Sequence, residues 1–444
     1  MKIRVLSPLL VSAIGLGSLL AAPSPARAEL FFEDQGSGKL PDQPCGGSGC
    51  WSNYARITDY NGDGSLDLVI VNCGGFFANP SAQPLTFYAN DGTGNFTNAT
   101  SALGVTAALR QVAFGDIDDD GDLDFYAPAA GNLQLDGLYV HEPGDFQNQA
   151  ASRLPAGLSS DAGAARFGDF DNDGDLDLIV AEGYIDDNAA PASLYLNDGS
   201  GVFTLAVGAV PTQKTGVNPD DVDLADIDGD FDLDVVINMH QGKNLVWKND
   251  GNGVFSNASA GLPNQAQNAF HYGPVLCDID GDGDRDLMID NTGPGYAEQI
   301  LINDGTGAFT DETSTRITGN PGSDDNIVAC VDADGDGDFD LVVGSLSGNE
   351  RLFINDGAGN FAPEQGAFTT VADPTLWIEF GDLNGDGRLD ALTAQGEGNP
   401  QTERVYFGTA ASPVDATPPR IIAVESVTPS QTNEVVVRFA VSDN

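Results

Sequence analysis

Basic side chains are scarce in this chain: 18 Lys and Arg stand against 67 Asp and Glu, with three His, for a formal charge of −49. A field of that sign excludes nucleic acid or an anionic membrane surface as a partner held by electrostatics. With so few histidines, none falls in a zinc-ligand spacing. HExxH, the GxSxG elbow and the Gly-Lys phosphate loop are missing too, so the common hydrolase and nucleotide-binding signatures are excluded. Paired carboxylates for glycoside chemistry stay open, but among 67 acids any one pair carries no information. The five cysteines are too few for a disulfide framework in a chain of 444 residues. Cys45 and Cys50 bracket GGSG and are spaced to close a small loop, with Cys73 a competing partner. Cys277 and Cys330 lie on apolar strands and read as buried small hydrophobes. Disorder fits badly despite the acidity, because 41% of the residues are hydrophobic and they recur as short strands.

Beyond the N-terminus no run approaches the ~20 apolar residues that span a bilayer. At the start, Lys2 and Arg4 precede the apolar run VLSPLLVSAIGLGSLLAA, and Ala26-Arg27-Ala28 follows as a small-x-small cleavage signal. Residues 1–28 therefore read as a secretory signal peptide, with an uncleaved N-terminal anchor as the alternative. Removing Lys2, Arg4 and Arg27 with it leaves 15 basic against 67 acidic residues, a net charge near −52. The expected locations are extracellular, cell-surface or periplasmic.

What the chain has in abundance is one repeated loop. It starts at Asp59, Asp116, Asp169, Asp226, Asp278, Asp332 and Asp382, at intervals of 50 to 57 residues. A fixed period of that size marks a solenoid or propeller. Each unit has the same grammar. A short apolar strand such as RQVAFGD or GPVLCD leads into the loop, and a second such as LDLVIV or LDLIVA follows at once. A third strand ends in Asn-Asp-Gly, a tight hairpin signal because Asn and Gly accept positive φ. An aromatic (Phe96, Phe203, Phe255, Phe309, Phe361) then opens a fourth strand. Four antiparallel strands repeated seven times predict an all-β, seven-bladed propeller over residues 29–412. The seventh unit reaches RVYFG but lacks the turn and fourth strand, while FEDQGSGKLP at 32–41 matches FQNQAASRLP at 146–155. The N-terminal strand is thus expected to complete the last blade and close the ring, which also hides sheet edges. Residues 413–444 change character: a Pro-rich link precedes two strand-like runs, Arg420–Val427 and Glu434–Val441. They read as the start of an Ig-like β-sandwich, which needs about seven strands. The chain is expected to continue in a longer protein; the alternative is that this tail packs on the propeller.

The loop spacing D-x-[DN]-x-D-G-x-x-D suits a hard cation. Positions 1, 3 and 5 turn carboxylates into one concavity, position 7 offers a backbone carbonyl, and position 9 closes the shell. In the first copy these five positions are Asp59, Asn61, Asp63, Ser65 and Asp67. The second has Asp116, Asp118, Asp120, Asp122 and Asp124; the third Asp169, Asp171, Asp173, Asp175 and Asp177. The fourth has Asp226, Asp228, Asp230, Asp232 and Asp234, the fifth Asp278, Asp280, Asp282, Asp284 and Asp286. The sixth has Asp332, Asp334, Asp336, Asp338 and Asp340, the seventh Asp382, Asn384, Asp386, Arg388 and Asp390. The spacing starts like an EF-hand, but in the third copy Val180 stands where the EF-hand's twelfth-position Glu belongs, and the flanks are strands. Up to seven structural calcium ions are expected, since magnesium demands a stricter octahedron. Asn61 and Asn384 keep an oxygen but remove a charge. In the fourth copy Phe231 replaces the turn glycine, which costs roughly 1–2 kcal/mol for a left-handed bulky residue and predicts a weaker or differently bent site.

FGD at 114–116, 167–169 and 380–382, with the loops after them, resembles the FG-GAP/VCBS repeats of bacterial exported proteins and the integrin α-subunit propeller. The resemblance covers roughly residues 31–412. It implies a seven-bladed ring with calcium in hairpin loops on one face, held in the third blade by Asp169, Asp171, Asp173 and Asp177 and by Asp175 through its backbone. Loops 1–2 and 3–4 of each blade share that face. The opposite face carries the variable connections, where His240, His271, Tyr272 and Tyr296 approach one another around blades four and five; their roles are ligand contact or loop packing. The expected function is a non-catalytic binding or adhesion module for a protein or glycan held on that opposite face. The competing expectation is a polysaccharide-active lyase or hydrolase on the same scaffold.

Overall fold

The structure is a computed structural model. It describes residues 29–414, except 37, 42–44, 46–49, 74–80, 130–135, 144, 157–160, 184–190, 214–215, 264–270, 293–294, 372 and 397–399, together with 420–424 and 439–442. The expected signal peptide lies outside the described residues.

Seven four-stranded antiparallel sheets follow one another around a ring. Blade 1 is Ser52–Thr58, Asp67–Asn72, Thr86–Asn90 and Phe96–Asn98, paired in sequence order. Blades 2 to 6 repeat this plan, opening at Ala113, Ala162, Gly216, Pro274 and Asp325. Blade 7 is Thr375–Gly381, Asp390–Gln395, Arg404–Gly408 and, as its outer strand, Phe32–Asp34. The N-terminal strand pairs antiparallel with Arg404–Gly408, so the two ends of the propeller close the ring as expected. Phe32 stacks on Phe368 at 4.6 Å, and Arg404 reaches Asp34 at 3.0 Å and Asp373 at 2.8 Å.

The second strands explain the stability of this plan. In Asp67–Asn72, Asp177–Glu182, Asp340–Ser345 and Asp390–Gln395 every residue is buried, because a middle strand is covered by a blade on each side. The apolar core consequently divides into seven clusters, one at each blade junction. Each fully buried Val, Ile or Leu there contributes about 1.5–3 kcal/mol.

The first strands line the centre, and their side chains fill it. Arg166 donates to Asp221 and to Gln111, each at 2.8 Å, and Arg56 pairs with Glu379 at 2.7 Å. Trp377 lies against Tyr54 with ring centroids 4.3 Å apart. The same crowding corrects the cysteine reading. Cys277 and Cys330, on neighbouring first strands of blades 5 and 6, have Cα atoms 6.6 Å apart and form a disulfide rather than standing as separate small hydrophobes. Cys45 and Cys50 are bonded to each other, and Cys73 is a buried free thiol. After the propeller, Arg420–Val424 pairs antiparallel with Phe439–Ser442 as a two-stranded ribbon.

Candidate metal centres on one face of the ring

Each Asp loop joins a first strand to a second, and the position-9 Asp is the first residue of that second strand. Three roles recur around the ring. The position-1 carboxylate gathers the loop backbone: Asp169 accepts the N–H of Asp173 at 3.1 Å and of Gly174 at 3.2 Å. Asp59, Asp116, Asp226, Asp278, Asp332 and Asp382 do the same in their own loops. The position-5 carboxylate accepts the position-7 N–H in all seven copies, from Ser65 on Asp63 to Arg388 on Asp386. Position 9 is buried and ties the loop to the neighbouring hairpin. Asp177 accepts Phe170 N–H on Oδ2 at 3.0 Å and Asn197 N–H on Oδ1 at 2.8 Å.

Position 3 behaves differently. Asp118, Asp171, Asp228 and Asp280 each keep a buried Oδ1 that accepts no hydrogen bond from the chain. A buried acceptor left unmade costs ~1–3 kcal/mol, more when charged, so these oxygens want a cation. Carboxylate oxygens also converge. One from each of Asp116, Asp118 and Asp124, and one from each of Asp169, Asp171 and Asp177, lie within 4.8 Å of one another. The same holds for Asp226, Asp228 and Asp230, for Asp278, Asp280 and Asp282, and for Asp332, Asp334 and Asp336. Blades 1 and 7, with Asn61 and Asn384 at position 3, form no such acidic triad among the described residues. The position-7 side chains stand apart, over the hairpin glycines: a Cβ placed on Gly199, Gly251, Gly305 or Gly357 would meet the carboxylate of Asp175, Asp232, Asp284 or Asp338 at 2.5 Å. An all-oxygen set with orphaned carboxylate oxygens fits a hard divalent cation.

Burial drives the position-9 acids toward protonation. It raises Asp67, Asp177, Asp234, Asp286 and Asp390 to about 7, Asp124 to about 6 and Asp340 to about 8. Backbone N–H donors pull the other way and the neighbouring loop carboxylates push them up further. A bound cation would reverse that last contribution.

Phe231 occupies the turn position with φ +70°, and its N–H donates to Asp226 at 2.9 Å. The fourth loop is therefore bent like its siblings, with left-handed strain in place of a different path. A second left-handed position went unread in the sequence. Position 4 has positive φ in every loop, at Gly62, Asp119, Asn172, Gly229, Gly281, Gly335 and Gly385. The signal was present, since only Gly, Asn and Asp stand there.

On the opposite face, His240 and Tyr272 meet edge to face at 4.9 Å, and His271 N–H donates to the His240 carbonyl at 3.1 Å. His271 is buried and held near 4, hence neutral, by that burial. Tyr296 contacts Ser323 through its backbone. Tyr272 joins Tyr54, Arg110, Gln111, Asp220 and Trp377 around a cavity of about 30 Å³ at the mouth of the central channel, where the first strands begin. The connections 74–80, 184–190 and 264–270 on this face lie outside the described residues.

Fold and loops together define a β-propeller of Asp-loop repeats. The chain belongs to the FG-GAP-like repeat family, which matches residues 59–127, 169–237, 226–289 and 332–393. No curated protein matches it. Among solved structures it is similar to the BP39L lectin from Burkholderia pseudomallei, at 14% identity and a TM-score of 0.55, covering 82% of this chain and 97% of that one. It is similar also to BBS1N, solved in complex with ARL6DN, at 11% identity and a TM-score of 0.53, covering 87% of this chain and 99% of that one. At these identities the likeness is one of fold. Among the described residues no helix is long and apolar enough to cross a membrane.

Proposed function

We propose that this protein is an exported binding module whose propeller is held together by calcium in its Asp loops. The orphaned position-3 oxygens within the carboxylate triads carry this reading. Calcium takes six to eight oxygens in irregular geometry, and loops of one fixed backbone path with three or more carboxylates supply most of them. Asp118, Asp171, Asp228, Asp280 and Asp334 would each give one ligand, with positions 1, 5 and 9 beside them. Blades 1 and 7 would bind more weakly, having one charge fewer. Two disulfides support an oxidising, extracellular setting.

The ligand is a protein or a glycan, taken on the face opposite the Asp loops. Propellers similar in fold include a lectin and a protein solved with a protein partner. Tyr272 and Trp377, half-buried at the channel mouth, provide flat apolar surface, with Arg110 a polar contact beside it. Binding of the calcium-loaded full chain to a glycan array and to candidate surface proteins, alongside a reducing-sugar release assay, tests this. Saturable binding without turnover, weakened by Tyr272→Ala, is expected; release of reducing sugar would overturn it in favour of an enzyme.

A further inference from the structure

The Asp loops are wired to one another through the hairpin asparagine. In blade 5, Asn303 N–H donates to its own Asp286 at 2.9 Å, while its amide Nδ2 crosses the junction to the Ile227 carbonyl of blade 4 at 2.8 Å. The same amide reaches the Arg285 carbonyl of its own loop at 3.1 Å. Ile227 in turn donates its N–H to the buried Asp234 of blade 4 at 3.0 Å. One line of hydrogen bonds therefore runs from Asp234 through Ile227 and Asn303 to Asp286, joining the position-9 acids of adjacent blades.

The link recurs at four other junctions. Asn90 reaches Leu383 at 2.8 Å, Asn197 reaches Ile117 at 2.8 Å, Asn249 reaches Phe170 at 2.8 Å and Asn355 reaches Ile279 at 2.7 Å. Each spans from one blade's hairpin to position 2 of the preceding blade's loop. The same five junctions carry a second tie, from the preceding blade to a carbonyl of the hairpin turn. Lys39 donates to Gly94 at 2.8 Å, Arg153 to Ser200 at 2.6 Å and Asn172 to Gly251 at 3.0 Å, with Lys248 on Thr306 and Arg316 on Ala358. Three of these side chains also ion-pair with position-3 carboxylates through Oδ2, leaving Oδ1 unpartnered: Arg153 on Asp118 at 2.9 Å, Lys248 on Asp228 at 3.1 Å and Arg316 on Asp280 at 3.0 Å.

Two junctions lack the asparagine. Blade 7 has Gly408 at the equivalent place, bonded to Asp390 through its N–H alone. Blade 2 has His141, whose N–H meets Asp124 but whose ring stacks on Phe146 at 4.7 Å. The relay is thus continuous from blade 2 through blade 6, and separately from blade 7 to blade 1. Hydrogen bonds in series polarise one another in a low-dielectric interior, and a coupling between two sites acts equally in both directions.

We propose that the seven loops take up cations as two coupled groups, blades 2 to 6 and blades 7 and 1, with Asn90, Asn197, Asn249, Asn303 and Asn355 as the positioning residues that carry the coupling. This rests on the calcium reading above. Filling one loop fixes its position-2 peptide, which orients the next blade's asparagine and, through it, the next buried acid. The chelator-stripped full chain, titrated with calcium by calorimetry, tests it. The wild type should show a Hill coefficient above one. Asn249→Ala, which cuts the five-blade group between blades 3 and 4, should lower that coefficient and raise the midpoint several-fold at unchanged stoichiometry. Phe170 keeps an acceptor bond from Gly253 N–H at 2.9 Å, so the variant leaves no carbonyl orphaned. Calcium bound with a wild-type coefficient of one overturns the coupling alone, without recourse to any variant. An unchanged coefficient in Asn249→Ala removes the asparagine from its role. No calcium bound overturns the calcium reading, and the coupling falls with it.

Discussion

Phe231 shows how far a single residue is overruled by its surroundings. A phenylalanine at φ +70° is held in a region that glycine occupies freely, because Asp226 accepts its N–H and the adjoining strands have already set the loop. Phe231→Gly is expected to stabilise the protein by about 1 kcal/mol through relief of left-handed strain and to strengthen cation binding at that loop. Thermal melts with and without calcium measure both effects; a variant no more stable than its parent in chelator would refute the strain argument. At this scale the clustering of the loop carboxylates was legible, since alternating Asp followed by Gly has few physical uses. The asparagine relay was not. Asn197 and its partner Ile117 are 80 residues apart, and the local sequence shows only the hairpin turn that Asn197 also begins.

Strands were the most legible elements, because apolar runs bounded by Asp loops and Asn-Asp-Gly turns leave little choice of period. The closing strand was legible for a related reason: Phe32–Asp34 carries the same exit sequence as a complete blade's outer strand. The Cys277–Cys330 bond was not legible because it depends on how closely two first strands approach across a junction, a distance absent from either strand's own pattern. The bond closes a loop with a sequence separation of 53. In the chain-entropy description a loop of that size stabilises by on the order of 4 kcal/mol. Replacing both cysteines with serine should lower the melting temperature in calcium, with about half the effect from the Cys45–Cys50 pair, whose separation is 5. Equal effects from the two pairs would contradict this ranking.

For the molecule as a whole, acid in the loops is a liability that protons, or calcium on the proposed reading, would relieve. The seven position-9 acids are raised in the metal-free fold to between about 6 and about 8, against about 4 for an aspartate in the unfolded chain. Folding without metal therefore takes up protons. The stabilisation is full below about pH 4 and lost as pH rises through about 7. In chelator the protein should melt at lower temperature at pH 8 than at pH 5, and saturating calcium should flatten that trend; a chelated protein equally stable at both would show that these acids ionise without cost. The charge of −49 adds repulsion of the same sign, which salt would screen and calcium would neutralise locally.

The most direct test of the account is thermal unfolding of the full chain at neutral pH in excess chelator and in excess calcium. Each loop at ten times its dissociation constant should contribute about 1.4 kcal/mol, and five acidic loops together several times that. The prediction is a large fall in melting temperature on chelation, restored by adding calcium back. Coincident melts in chelator and in calcium would contradict the claim that the ion holds this propeller together.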